Sequence, residues 1–300
     1  MRNFFVGRAV GIVIVLVILS IGFLVSSLNK KEKPVVEAPV VKVNTNGELA
    51  IIGKTIEGRN IEAYKYGDGE THLVFVGGVH GGYEWNSILL AHKFMDYLKA
   101  NPSVVPSNIT VTVIPSANPD GLYKIIKKEG IFLASDIPAN TNTSPGRFNA
   151  NGIDLNRNFD CKWQPKSTWQ SKTVSAGTKP FSEPEALAIK NFVEEKNPEA
   201  VVFWHSQSGA VYASQCENGI LPETLNIMNA YAKASGYRAV PEFDAYETTG
   251  DSEAWLAKIG IPSITVELKT HEGLDWEQNL AGTKALFEYY ESRDLVNKTP

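Results

Sequence analysis

Three hundred residues make one large domain or two small ones, and a formal net charge of −4 gives no reason to expect a nucleic-acid partner. The two cysteines, Cys161 and Cys216, are too few for a disulfide-stapled scaffold. The five histidines are few enough to weigh one at a time.

After a short tail over 1–8, the first element is an uncharged apolar run over 9–28, preceded by Arg2 and Arg8. About 20 helical residues span roughly 30 Å, enough to cross a bilayer's hydrocarbon core. A secretory signal is the competing reading, with Val25-Ser26-Ser27 as its cleavage site. The run is long for a signal, which favours an uncleaved anchor. Lys30, Lys31 and Lys33, just beyond it, blur any orientation argument from charge. Both readings place the body of the chain outside the cytoplasm, where Cys161 and Cys216 could pair. Residues 29–46, rich in Pro, Val and Lys and without a period, read as an extended linker. A single domain is expected over 47–295, with a C-terminal tail over 296–300.

Within the domain, 51–61 reads as a short hairpin turning near Glu57-Gly58. Short β-branched or aromatic runs at 73–76, 109–114, 200–204 and 263–267 predict strands buried on both faces. Helical patterns fall at 87–99, 185–195, 224–234, 252–258 and 282–292. Ser182-Glu183-Pro184-Glu185 opens the second of these with a hydroxyl cap, an early proline and acidic residues. The alternation predicts an α/β fold with a mixed, mainly parallel twisted sheet flanked by helices. Residues 118–179 fit neither period, and so long an irregular stretch in a compact domain is usually functional.

The strand at 73–76 stops at Gly77-Gly78, and His80 and Glu84 follow four positions apart. The end of a sheet strand is where open α/β sheets bind ligands. An imidazole and a carboxylate with a distant second His form the ligand set of an open catalytic zinc site. A capped helix start accounts for the same residues equally well. His205 ends the strand at 201–204 beside Ser206, and Glu267 ends the strand at 263–267. A carboxylate there is a general base or half of a buried ion pair. In the irregular segment, Asn156 and Arg157 offer an amide and a forked guanidinium suited to a carboxylate, and Arg147 adds a second cation. His72, His92 and His271 read as structural or surface residues.

Taken together, the chain resembles a zinc metallocarboxypeptidase of the carboxypeptidase A/B type over nearly the whole domain. His80 and Glu84 resemble the first ligand pair, and Asn118-Pro119-Asp120-Gly121 the family's Asn-Pro-Asp-Gly turn. Gly152-Ile153-Asp154-Leu155-Asn156-Arg157-Asn158-Phe159 is similar to the family's Gly-Val-Asp-Leu-Asn-Arg-Asn-Phe. Phe181-Ser182-Glu183-Pro184-Glu185 is also typical, and His205-Ser206 resembles the third ligand and its neighbour. Tyr246, Gly250, Ser252 and Trp255 keep the family's spacing, with Glu267 following. One departure stands out: the family spaces its first ligands His-x-x-Glu, whereas this chain has His-x-x-x-Glu, and Gly81-Gly82 is expected to absorb the extra residue.

The resemblance implies one zinc ion held by His80, Glu84 and His205. It makes Glu267 the general base and Arg147 the stabiliser of the oxyanion. Asn156, Arg157 and Tyr246 would hold the free C-terminal carboxylate of a peptide substrate. Glu253 falls where the family lines its side-chain pocket, so a Lys- or Arg-like end is expected. No propeptide like the family's zymogens separates the apolar run from the domain, so activation by cleavage is not expected. Other readings are a peptidase or amidase of cell-wall stem peptides and, in a different class, a catalytically silent peptide-binding domain.

Overall fold

The computed structural model of the protein describes residues 47–297, all within one compact unit. The apolar run over 9–28 and the linker expected to 46 lie outside the described residues. Among the described residues, no helix is long and apolar enough to cross a membrane.

The predicted hairpin is longer than its sequence signal. It comprises β1 (Glu48–Lys54) and β2 (Asn60–Tyr66), with Gly58 in the turn at φ +84. The four expected strands are β3 (Thr71–Val76), β4 (Ile109–Ile114), β7 (Ala200–Ser206) and β12 (Ser263–Leu268). With β8 (Ala210–Ala213) and β11 (Arg238–Val240) they form one sheet in the order β1-β2-β4-β3-β7-β12-β8-β11. The β4/β3/β7/β12 centre is parallel throughout. Both β2 against β4 and β8 against β12 are antiparallel, so the sheet is mixed as predicted. Every residue of β7 is buried, as a central strand requires.

Helices cover both faces, and side chains alternate between two cores because successive strand residues point to opposite sides. On one face, Phe75 of β3 stacks on Trp204 of β7 at 5.3 Å between centroids. This core is closed by α1 (Trp85–Ala100), α4 (Pro222–Ser235) and α6 (Trp276–Asn297). On the other, Val74, Val76 and Phe203 meet α3 (Pro184–Lys196) and α5 (Ser252–Lys258). Each buried Phe or Leu on these faces contributes about 1.5–3 kcal/mol relative to exposure.

Three local expectations need correction. The segment from 118 is not irregular throughout: α2 (Pro119–Ile126) opens it, capped by Asn118 Oδ1 accepting from Gly121 N at 2.9 Å. It also holds the hairpin of β5 (Lys166–Trp169) and β6 (Lys172–Ser175). Asn118-Pro119-Asp120-Gly121 reads as a turn and hides the start of α2, and β5 and β6 have only four residues each. The cap of α3 is Glu183, with no side-chain capping bond; the Ser182 hydroxyl donates to Glu183 Oε1 instead. Finally, α6 begins before Gly282 and runs two residues into the expected tail. Gly282 lies inside it because a Cβ there would sit 2.4 Å from the Tyr231 ring, so only glycine lets α6 pack this closely on α4.

Candidate metal centre and cleft

The parallel strands β3, β7 and β12 deliver His80, His205 and Glu267 to the same edge of the sheet. Glu267 is the direct register partner of His205, which sets both side chains on one face. Glu84 occupies the N-cap position of α1 but makes no capping bond. Its carboxylate turns to the histidines: Oε1 lies 2.7 Å from His80 Nδ1 and Oε2 lies 2.9 Å from His205 Nδ1. The extra residue between His80 and Glu84 is taken up by a turn in which Tyr83 N donates to His80 O at 3.0 Å. Gly81 and Gly82 make that turn possible. A Cβ on either would lie under 3 Å from backbone atoms of Asn118, Gly121 or Gly146.

His80, Glu84 and His205 are buried, and their ligand atoms lie within 4.8 Å of one another. The outer nitrogens report how the rings are held. His80 Nε2 and His205 Nε2 are buried without hydrogen-bond partners, yet each faces a carboxylate, Asp154 Oδ1 at 3.5 Å and Glu253 Oε1 at 3.3 Å. Imidazoles with Nδ1 turned to a shared point and Nε2 turned to a carboxylate are disposed as metal ligands. Burial alone would lower the His205 pKa, but Glu84 and Glu253 outweigh it and hold it well above the usual value. Three ligands and an open cleft fit a catalytic zinc rather than a closed structural one.

A cleft of about 660 Å³ opens over this cluster, and all nine sequence-predicted site residues line it. Arg147 ends a 3₁₀ turn over Ser144–Arg147, with Nε donating to Asp154 Oδ2 at 2.8 Å and its guanidinium over the Trp169 ring. Asn156 and Arg157 come from the turn Leu155–Arg157, which Asp154 caps. Asn156 Oδ1 accepts from Ser252 N at 2.9 Å, joining this turn to α5. Arg157 spends three N–H groups on the carbonyls of Asn156 and Thr168, which leaves one on each terminal nitrogen for a ligand. Tyr246 lines the cleft with its ring against Phe243.

Glu267 has one carboxylate oxygen buried without a partner. Burial, then the charge of Glu84, pushes its pKa up to about 8. Glu253 differs: Ser252 Oγ and Thr265 Oγ1 donate to its two oxygens at 2.9 and 3.0 Å. It lines the cleft as expected but also abuts His205. Asp251, on the same wall, is raised to about 6 by burial and by the Glu253 charge.

Asp154, Asp251 and His271 belong to the site and have no role assigned from sequence. Asp154 was noted only inside a motif, yet it joins His80, Arg147 and the Asn156 turn; its lone carboxylate before Asn-Arg was the available signal. His271, read as a surface or structural residue, is half-buried and lines the cleft. Its neighbours come from distant segments, so nothing local marked it. Cys161 and Cys216 form a disulfide beside this wall, linking the segment after Arg157 to strand β9 (Gln215–Cys216).

These features define an α/β protein with a two-histidine, one-carboxylate centre of the catalytic kind at the carboxyl ends of parallel strands. The chain belongs to the zinc carboxypeptidase family, peptidase M14, whose sequence profile matches residues 44–278. That family uses one zinc ion, for which His80, Glu84 and His205 form the candidate site.

The chain is 25% identical over 238 residues to gamma-D-glutamyl-L-diamino acid endopeptidase 1 of Lysinibacillus sphaericus, covering 72% of this chain and 59% of the relative. It is 30% identical over 215 residues to human carboxypeptidase O, covering 64% and 55%. The chain thus spans little more than half the length of these relatives. Among solved structures, bovine thrombin-activatable fibrinolysis inhibitor, in complex with tick carboxypeptidase inhibitor, superposes with a TM-score of 0.64 at 20% identity, covering 85% and 91%. Murein-tripeptide amidase MpaA from Escherichia coli gives 0.58 at 23%, covering 80% and 91%. At these identities the superpositions establish the fold.

Proposed function

We propose that this chain is a zinc metallocarboxypeptidase that hydrolyses the C-terminal peptide bond of peptides and favours Lys- or Arg-like ends. The observation that carries the reading is one cleft lined by the ligand cluster, by Glu267 with its unpartnered oxygen and by Arg157 with two uncommitted N–H groups. Zinc, when bound, supplies a Lewis acid and lowers the pKa of water. Glu267, which the positive charge of a bound zinc would keep ionised, takes the proton of the attacking water and delivers it to the leaving amine. Arg147 stabilises the negative charge that develops on the scissile carbonyl oxygen. Asn156, Arg157 and Tyr246 grip the terminal carboxylate, which makes the action exopeptidic. The carboxylates of Glu253 and Asp251 on one wall support selection of a cationic end.

A second reading, hydrolysis of cell-wall stem peptides, is favoured by the endopeptidase relative above and by murein peptide amidase A of Escherichia coli, 28% identical over 131 residues, 40% of this chain and 50% of the relative. A diamino acid also presents an amine to the acidic wall. A catalytically silent peptide-binding domain is the reading from another class, and the retained Glu267 speaks against it. The disulfide and the apolar run over 9–28 support an extracytoplasmic domain on an N-terminal membrane anchor.

The test is release of terminal Lys, Arg, Leu and Phe from matched linear peptides, and of diaminopimelate from a γ-D-glutamyl peptide, with and without a chelator. Chelator-sensitive release of Lys or Arg supports the proposal. Release only from the γ-D-glutamyl peptide transfers it to the cell wall. Bound zinc with no turnover of either means a silent binder.

A further inference from the structure

Asn86, Ser206 and His271 form a polar relay that the proposed reaction does not use. Asn86 is fully buried two residues after Glu84, Ser206 follows His205, and His271 lies four residues after Glu267. Asn86 Nδ2 donates to Thr270 O at 2.7 Å and Gly273 O at 2.9 Å, the carbonyls flanking His271. Two carbonyl partners fix the orientation of the amide, so Asn86 Oδ1 is the acceptor for Ser206 Oγ at 3.0 Å. The single Ser206 hydroxyl proton is thereby committed. His271 Nδ1, 2.8 Å from Ser206 Oγ, must then be the protonated nitrogen and the donor. Neutral His271 is left with a bare lone pair on Nε2, which has no protein partner among the described residues. Burial lowers the pKa of His271, which favours the neutral ring.

The relay builds an acceptor where peptide binding calls for one. His271 lines the cleft, and its ring is braced by Tyr83 at 4.5 Å between centroids. Its contacts are with segments that carry the metal ligands, and none is with Asn156, Arg157 or Glu253, which take the terminal residue. We propose that His271 is a substrate-positioning residue whose Nε2 accepts a hydrogen bond from a backbone N–H upstream of the scissile bond. This rests on the cleft being a peptide-hydrolase site, as proposed above.

Two substitutions separate this role from loop anchoring. His271→Asn keeps an N–H near the Nδ1 position for Ser206 and removes the Nε2 acceptor. His271→Gln places an amide oxygen near the Nε2 position. The zinc-loaded full chain is assayed on acetyl-Ala-Ala-Lys and on the same peptide N-methylated at its Ala-Ala amide, with zinc content and melting temperature measured alongside.

For His271→Asn we expect KM to rise about fivefold to tenfold, the size of one lost hydrogen bond, with kcat within about twofold. His271→Gln should recover much of the loss. N-methylation should raise the wild-type KM by a similar factor and add little to His271→Asn, as in a double-mutant cycle. An unchanged KM, or additive effects of methylation and His271→Asn, overturns the inference. Loss of zinc or of melting temperature in both variants also overturns it, because it makes His271 a structural anchor. Failure of the wild type to cleave either peptide would instead overturn the peptidase reading, and this assignment with it.

Discussion

Glu253 Oε1 lies 3.3 Å from His205 Nε2, while Glu84 holds the other nitrogen of the same ring at 2.9 Å. Glu253 therefore has two claims on it, as support for a metal ligand and as part of the acidic wall of the cleft. Glu253→Gln should weaken zinc binding about tenfold, measured by competition with a chelating dye. At saturating zinc, Glu253→Ala should also lower the preference for Lys over Leu ends. An unchanged ratio would leave Glu253 only its role beside His205.

Asp154 serves His80 and Arg147 at once, so its replacement should be felt at both. The charges of Arg147, Arg157 and His80 overcome its burial and hold its pKa well below the usual carboxylate range. Asp154→Asn should reduce zinc affinity about tenfold to a hundredfold and lower kcat in the zinc-saturated enzyme. A titration of bound metal and a single-turnover assay separate the two effects.

Arg157 should discriminate free carboxylates from amidated ends. Arg157→Lys keeps the charge but cannot hold the carbonyls of Asn156 and Thr168 while presenting a fork. The expected loss on free-carboxylate peptides is about 1.5–3 kcal/mol in kcat/KM, with little change on C-terminal amides. Equal loss on both substrates would mean the carboxylate is held elsewhere.

The disulfide closes a loop with a sequence separation of 55 between Cys161 and Cys216. It holds the backbone where Gly250 N donates to Cys161 O at 2.8 Å and Phe159 N donates to Gly250 O at 2.9 Å. By loop-closure entropy, the Cys161→Ser, Cys216→Ser double variant should lose about 4 kcal/mol in urea unfolding. KM should rise as well, since the same segment carries Asn156 and Arg157.

His72 ties acid stability to a strand far from the cleft. Its Nε2 is 2.8 Å from Thr112 Oγ1, and burial, with the charges of Lys196 and Lys65, lowers its pKa from 6.5 to about 4. Between those values the unfolded chain holds a proton that the folded chain does not, so stability falls as pH drops through this window. His72→Gln should lose less stability than the wild type between pH about 7 and about 4.5 in thermal melts. Parallel losses would show that other groups dominate.

The sequence by itself determined the α/β class, the central strands and the nine cleft residues. Buried strands and metal-site motifs are written in contiguous residues, and a short apolar run ending in His or Glu is legible wherever it falls. It could not resolve α2, whose start is hidden in the turn-like Asn118-Pro119-Asp120-Gly121, or the β5/β6 hairpin, whose strands have four residues each. Nor could it show that Gly282 sits inside a helix, since only the Tyr231 ring across the α4/α6 contact makes that glycine necessary. The tertiary structure decided which residues share work. Glu84 turns from its helix cap to two imidazoles, Asp154 and Glu253 come to stand behind them, and His271 is aimed by Asn86 and Ser206. Apart from Glu84 with His80, those pairings join positions from about 50 to more than 120 residues apart, and local sequence carries no record of which side chains will meet once the sheet is assembled.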